Sequence, residues 1–251
     1  MLRATSILTA ASLCVGLGGH ALAETSLSFS LGFGGQVTPD YFGSDTYSFG
    51  PAGSFSPQYL KLGRVEFGDP DPNAVQLGFY PRGSFRLIGE RSASDNPELA
   101  GLEDVDLSVE VGGGLGFRST GFQAFADLRY GVVGHESFVA EVGAEAILRP
   151  AQDVTLTLGP RALWGSDDFA QTYFGVTAAE AAGSAFTEYD PGSGLVSAGV
   201  EAALTYDVNE DWAVRGTATW ERFVGDAAES PILEDEDAFG LSIVAIRSFS
   251  F

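Results

Sequence analysis

The charges in this chain keep to one side of every extended run, and that regularity most limits what it can fold into. Phe122, Ala124, Ala126, Leu128, Tyr130 and Val132 share one parity, while Asp127 and Arg129 occupy the other. Phe138, Ala140, Val142, Ala144, Ala146 and Leu148 oppose Glu141, Glu145 and Arg149 in the same way. Trp212, Val214, Ala218 and Trp220 oppose Arg215 and Glu221. Successive side chains of a strand point to opposite faces, so each run has one greasy and one charged face. A sandwich of two sheets also alternates, because its outer faces are wet. The apolar faces here run for about ten residues, the length of a tilted membrane strand. Phe117, Phe122, Trp164, Tyr206, Trp212 and Trp220 gather at the ends of these runs, as interfacial aromatic girdles do. The pattern therefore favours a barrel whose apolar side faces lipid.

The last residues, 239–251, extend the pattern to the end of the chain. Phe239, Leu241, Ile243, Ala245, Phe249 and Phe251 lie on one parity, interrupted by Arg247. The opposite parity carries Gly240, Ser242, Ser248 and Ser250, with Val244 and Ile246 as exceptions. Bacterial outer-membrane barrels typically end on such a strand with a terminal aromatic, and Phe251 is expected to be read by the barrel-assembly machinery. At the other end, residues 1–23 read as a secretory signal. Arg3 opens it, residues 7–17 are apolar, and Ala21-Leu22-Ala23 makes a small-x-small cleavage site before Glu24. The expected domain plan is a signal peptide, residues 1–23, and one barrel, residues 24–251, in the outer membrane. Cys14, the single cysteine, lies in the export segment, so disulfides and cysteine metal sites are not expected in the processed chain.

The chain carries 13 basic and 34 acidic residues, a formal charge of −21. Removing residues 1–23 takes away only Arg3 and leaves it more acidic still. Such a surface repels phosphate backbones, which argues against nucleic acid as a partner. No later segment approaches the roughly 18 unbroken apolar residues of a membrane helix, so any crossing is made by strands. Connections alternate in length. Short turns fall at residues 119–121, 150–152 and 209–211, which suits the periplasmic side of a barrel. Long polar connections fall at residues 88–104, 165–194 and 225–237, and a tight one at 134–137. The stretch 47–73 holds Pro51, Pro57, Pro70 and Pro72. It reads as three short strands, giving twelve in all, or as one long bent strand, giving ten. The expected fold is an all-β transmembrane antiparallel barrel with a long extracellular loop folding toward the lumen.

Several strings along the chain match a known family. They are Pro39-Asp40-Tyr41-Phe42-Gly43-Ser44-Asp45, Gly101-Leu102 with Asp104-Val105-Asp106, Gly134-His135-Glu136, and Gly159-Pro160 leading to Trp164 and Asp167-Asp168. Tyr173-Phe174-Gly175-Val176-Thr177 and Gly225-Asp226-Ala227-Ala228-Glu229-Ser230-Pro231 complete the set. In that order, the chain resembles the MipA/OmpV family of outer-membrane proteins. Departures are small: Val133 and Gly165 stand where the family usually has Gly and often has Ala, and Glu229 where it usually has Asp. The resemblance implies a barrel with no enzymatic activity and no cofactor. It also implies a scaffold role that docks peptidoglycan-remodelling enzymes, a murein hydrolase or synthase. Lipid and lipopolysaccharide are the surrounding partners of such a barrel. The alternative function is a narrow channel for small solutes.

Three groups of residues compete for chemical roles. His135 with Glu136 and Ser137 resembles a nucleophile and base set, yet neighbours on a strand end point apart. The plainer reading is a histidine that caps a tight turn. Asp167 and Asp168, with Asp226, Glu229, Glu234, Asp235, Glu236 and Asp237, could gather calcium, because hard cations want clustered carboxylates. Their spacing matches no EF-hand loop, and a solvated face or bridged lipopolysaccharide ions explains them more simply. Tyr173, Phe174, Gly175, Val176 and Thr177 are too apolar for a free loop. Phe174 and Val176 are expected to tuck into the barrel mouth, with residues 178–182 as a helical turn. The turn-rich segments containing Pro39, Asp40, Tyr41, Gly43, Ser44 and Asp45, and Gly225, Asp226, Ser230 and Pro231, would pack against that plug. The inward set is expected to be Asp106, Glu110, Asp127, Arg129, Glu141, Glu145, Arg161, Glu201, Arg215 and Glu221, paired across strands.

Overall fold

The computed structural model describes residues 25–62, 65–68 and 77–251. The expected export signal and cleavage site, residues 1–23, lie outside the described residues, as do residues 24, 63–64 and 69–76. The described strands are β1 (Thr25–Pro39), β2 (Tyr47–Leu62), β3 (Val65–Gly68), β4 (Gly78–Ile88), β5 (Ser108–Arg118) and β6 (Phe122–Val133). β7 (Phe138–Ala151), β8 (Val154–Gly165), β9 (Gly194–Asp207), β10 (Trp212–Phe223) and β11 (Asp237–Ser250) follow. They form one antiparallel sheet in the order β3-β2-β1-β11-β10-β9-β8-β7-β6-β5-β4. The first and last long strands thus pair, with Phe29 opposite Phe249. β4 comes within 8 Å, Cα to Cα, of both β2 and β3, so the sheet curls back on itself as a barrel.

The described residues give eleven strands, where the sequence suggested twelve or ten. Of the proline-containing stretch 47–73, residues 63–64 and 69–73 lie outside the described residues, so the count there covers the described part alone. That part makes the 16-residue β2 and the four-residue β3. Pro51 and Pro57 remain inside β2 because its pairing to β1 shifts register at Ser28/Phe29, and because β3 covers only its end, from Tyr59 to Leu62. Proline cannot donate to a ladder and is tolerated at edges and bulges of this kind.

Burial along the strands is inverted relative to a water-soluble protein. Phe33, Phe79 and Ile243 are 77%, 82% and 60% exposed, whereas Glu110 and Arg129 are 0% and 3% exposed. Soluble proteins rarely bury an acid or a guanidinium fully while leaving whole rows of Phe, Leu and Ile outside. The inversion disappears if hydrocarbon bathes the outer face, because every strand residue then meets a matching medium. Trp164 and Trp220 stand outward at the long-loop end, and Phe122, Tyr206 and Trp212 at the short-turn end. The terminal residue is held in place by β1: Phe251 N–H donates to the Leu27 carbonyl at 2.9 Å, and its ring stacks near Phe29 and Phe249.

Leu128 lies outward at the middle of β6. Replacing it with Arg should cost about 2–4 kcal/mol of barrel stability. Urea unfolding from lipid vesicles, read by the heat-dependent gel shift of folded barrels, should show a lower midpoint than for the parent chain.

Candidate functional site

The lumen carries a ladder of ion pairs from β4 to β10. Arg82 Nε lies 3.2 Å from Asp127 Oδ1. Arg86 Nε lies 3.8 Å from Glu110 Oε2, which also takes Arg129 Nε at 2.7 Å. Arg129 Nη1 reaches Glu141 at 2.8 Å, and Arg161 meets Glu141, Glu145 and Glu201 at 3.2, 2.7 and 2.6 Å. Arg215 stands 3.6 Å from Glu201. Phe125 is an aromatic residue set within this wall. The guanidiniums of Arg82 and Arg161 sit 4.1 and 5.2 Å from its ring centroid, a cation–π arrangement on a desolvated face. The remaining wall differs: β11, β1 and β2 present mainly Ser, Gly, Gln and Thr inward, with Val244 and Ile246 among them, and Ser28 is bonded to Ser250 and Ser30 to Ser248.

One mouth of the barrel is stoppered. The connection after β8 folds into α1 (Asp167–Phe174) and α2 (Ala178–Gly183). Phe169, Tyr173 and Phe174 from α1 pack with Val139, Leu163, Val196, Phe223, Ala227 and Ala238, and Phe42 seals the group. Phe42 meets Tyr173 edge-on, with centroids 4.9 Å apart. A second cluster above it joins Tyr41, Leu99, Leu102, Val176 and Ile232. Thr177 begins α2 with a capping box: its hydroxyl accepts the Glu180 N–H, and Glu180 Oε2 accepts the Thr177 N–H.

Polar contacts tie this stopper to the wall. Tyr173 donates its hydroxyl to Ser108 Oγ at 2.8 Å, and Arg91 Nη1 donates to the Tyr173 carbonyl at 2.9 Å. Burial is the main influence on both, pushing the Tyr173 phenol up and drawing the Arg91 guanidinium down from their usual ranges. Ser230 Oγ donates to the Phe174 carbonyl, and Gly43 carbonyl accepts from Glu234 and Asp235. Gly43 and Gly134 both hold φ of +87°, a region that suits glycine. A Cβ on Gly134 would also collide with Ser108 Oγ, so the tight turn before His135 needs this residue.

The expected site residues separate by environment. Tyr41, Gly43, Ser44, Tyr173, Phe174, Gly175, Val176, Ser230 and His135 are buried in or beneath the stopper. Pro39, Asp40 and Pro231 lie half-buried at its margin, and Gly225 is exposed there. Asp45, Asp168, Thr177, Asp226 and Phe251 are exposed. Asp167 and Asp226 act as loop clamps, accepting the N–H groups of Ser193 at 2.5 Å and Gly192 at 2.8 Å. Among the described residues no group of three or more acidic, histidine or cysteine side chains is arranged to hold a metal.

Two expectations need correction. Asp106 is exposed and precedes β5, which begins at Ser108, so it does not belong to the inward ladder. The adjacency argument at His135 holds for Glu136, which takes a φ of +45° and is exposed, but fails for Ser137. Ser137 Oγ lies 2.6 Å from His135 Nδ1, and His135 Nε2 lies 3.2 Å from Glu110 Oε1. Because the Ser137 N–H also donates to Nδ1, the proton sits on Nε2 and faces Glu110. The acid is 25 residues away on β5 and was invisible to a local reading. Arg82 and Arg86 were also missed, although their parity opposite Phe85 and Leu87 marks them as inward. Arg91 gave no periodic signal, since it sits in a loop.

Beneath the stopper, between it and the ladder, lies a cavity of about 410 Å³. A lipid-facing exterior, an ion-paired interior and a stoppered mouth define a plugged membrane β-barrel. A family model described as "MltA-interacting protein MipA" matches residues 31–249, and the chain belongs to this family. It is accordingly an outer-membrane barrel protein. The MltA-interacting protein of Escherichia coli K12 is 31% identical over 81 residues, 32% of this chain and 32% of that protein. The Shigella flexneri protein of the same name matches equally. The aligned part therefore spans about a third of the curated relatives' length. Among solved structures, an outer membrane channel of Pseudomonas putida F1 covers 94% of this chain and 100% of its own, with a TM-score of 0.46 and 12% identity. The channel DcaP of Acinetobacter baumannii shows the same coverage at 0.39 and 9%. At that distance, the fold is argued from the chain itself.

Arg129→Met leaves Glu110 and Glu141 without their closest cation. Breaking a buried pair from one side should cost about 3–5 kcal/mol, read as a lower thermal midpoint in detergent. Glu180 tests the stopper. Burial alone would raise its carboxyl, but hydrogen bonds from Glu103 and Thr177 outweigh it and hold the group below its usual range. Its contribution is complete above the ordinary carboxylate pKa, about 4.3, and fades as pH falls through the lowered value. Hydrogen exchange at the Glu103 amide should accelerate in that acid range, and Glu180→Gln should flatten the dependence.

Proposed function

We propose that the protein is a non-enzymatic structural component of the outer membrane whose short periplasmic turns dock a peptidoglycan-remodelling enzyme. The observation that carries this reading is the stoppered mouth: Phe42, Phe169, Tyr173 and Phe174 pack on one another and on Val139, Leu163 and Phe223 of the barrel wall. A barrel built to pass solutes freely has little use for such a seal. The name of the curated relatives, MltA-interacting protein, supports the kind of partner.

The absence of an enzymatic role is part of the same proposal. The Glu110, His135 and Ser137 line has acid and serine on the opposite ring nitrogens from those of a serine hydrolase triad. Phe169 and Tyr173 cover the imidazole edge-on at 5.2 and 5.7 Å between centroids, and Ser137 is buried. A substrate carbonyl has no approach to that hydroxyl.

The docking surface falls on the turns between β5 and β6, β7 and β8, and β9 and β10. Gln152, Asp153, Glu210 and Asp211 are exposed there, and Arg149 braces one turn on the Thr120 carbonyl. A photo-crosslinking side chain at Asp153 or Glu210, used in growing cells, should capture a murein hydrolase or synthase. Consistent recovery of the assembly machinery alone would overturn the scaffold reading. A narrow solute channel is the second reading, favoured by the cavity beneath the stopper. Planar-bilayer recordings distinguish the two: the stoppered barrel should be silent, and stepwise conductance would favour the channel.

A further inference from the structure

The cavity under the stopper has a charge arrangement that neither the ion-pair ladder nor the docking proposal uses. Its lining includes Asp40, Arg86, Arg91, Arg161, Glu201 and Glu221. Eight buried side-chain polar atoms lack a hydrogen-bond partner among the described residues, and four of them belong to this lining: Asp40 Oδ1, Arg86 Nη2, Arg91 Nε and Arg161 Nε. Buried polar atoms are normally satisfied, so a concentration of orphans around one space marks where a partner is missing.

These groups differ in how far neighbouring charges already compensate them. Arg161 is surrounded by three carboxylates and Glu201 by two guanidiniums. Arg86 is only loosely compensated, 3.8 Å from a Glu110 that Arg129 already holds at 2.7 Å, and its guanidinium lies 5.4 Å from the Phe42 ring centroid. Arg91 lies within 4.0 Å of no carboxylate among the described residues; Glu180 and Asp104 act on it from farther away, and it donates to the Tyr173 carbonyl. Among the acids, Glu221 on β10 has the Ser197 hydroxyl at 2.7 Å and no cation within 4.0 Å, and Asp40, on the β1–β2 connection, has no cation within that distance either. In the strand order, β4, which carries Arg86, and β10, which carries Glu221, stand on opposite sides of the cylinder. Under-compensated positive charge therefore faces under-compensated negative charge across the cavity.

We propose that this cavity binds a small zwitterion with separated charges, a short peptide, whose carboxylate meets Arg86 and Arg91 and whose ammonium meets Glu221 and Asp40. The volume of about 410 Å³ falls in the range of roughly 300–1,000 Å³ found for small-molecule sites. Tyr41, Phe42, Tyr173 and Phe223 supply apolar walls between the charged ends. A neutral sugar would satisfy the orphaned donors but leave the facing charges uncompensated, and a simple anion would add to the acidic side. The site is independent of docking at the periplasmic turns, so loss of one leaves the other intact.

Isothermal titration of the processed full chain in detergent tests this, with trialanine as the probe. N-acetyl-trialanine removes the ammonium, and trialanine amide removes the carboxylate. Trialanine should bind saturably, and each blocked form should bind about tenfold or more weakly, the loss expected for one charged hydrogen bond. Glu221→Gln should bring trialanine down toward the N-acetyl form, and Arg86→Gln toward the amide, with the gel shift confirming that each variant is folded. If a variant does not fold, the three ligands compared on the parent chain still decide the matter. No heat from trialanine into the millimolar range, equal binding of all three peptides, or sucrose binding as tightly as trialanine would each overturn the assignment.

Discussion

Everything in this barrel depends on hydrocarbon lying against the odd face of β11 and its counterparts. Outside water, a backbone N–H or C=O has no alternative partner, so a spanning chain must satisfy its own polar groups by curling its strands into one sheet. Strand pairing runs unbroken from β3 through β2, β1 and β11 to β4 across the described residues, and β4 returns to within 8 Å of β2 and β3. The same medium reverses the usual rule for side chains. Leu, Ile and Phe can stand outside without driving aggregation into water, and carboxylates and guanidiniums must then share the interior.

That interior is polar but not open. Arg129 engages both Glu110 and Glu141, and Arg161 engages three acids, so removal of either guanidinium leaves buried carboxylates short of a partner. Such networks stabilise little relative to apolar packing, yet they resist partial dissolution, because every half-broken state is costly. The ladder occupies one sector of the wall, while β11, β1 and β2 contribute mainly small neutral side chains. The cavity exists because of this asymmetry: bulky charged side chains fill one side, and Gly and Ser leave room on the other. The stopper closes the space above with aromatic packing, and Tyr173 and Arg91 couple that packing to wall and loop.

The alternation of residues 122–148 and 212–251 was enough to read the strands, their inward faces and the lipid-facing exterior, because a two-residue period survives without tertiary information. The stopper was legible in the apolar run Tyr173 to Val176, which a solvated loop would not carry. Other features were not legible, for physical reasons. The β2 and β3 boundary depends on where a bulge lets proline remain, which is a property of the pairing with β1. Glu110 meets His135 only because β5 and β6 lie side by side, and Arg91 meets Tyr173 across 82 residues of sequence. Local patterns specify faces, whereas the partners within a face come from register.

The most direct test of the central claim is the collision of spin labels with oxygen, which dissolves in lipid, and with a water-soluble nickel chelate. Cys14 is the single cysteine of the sequence and residues 24–251 contain none, so single labels can be placed along residues 239–246 of β11 in vesicles. The account predicts strong oxygen collision at 241, 243 and 245 and weak collision at 240, 242 and 244. Strong nickel access at 241 and 243, with oxygen access showing no two-residue period, would contradict it.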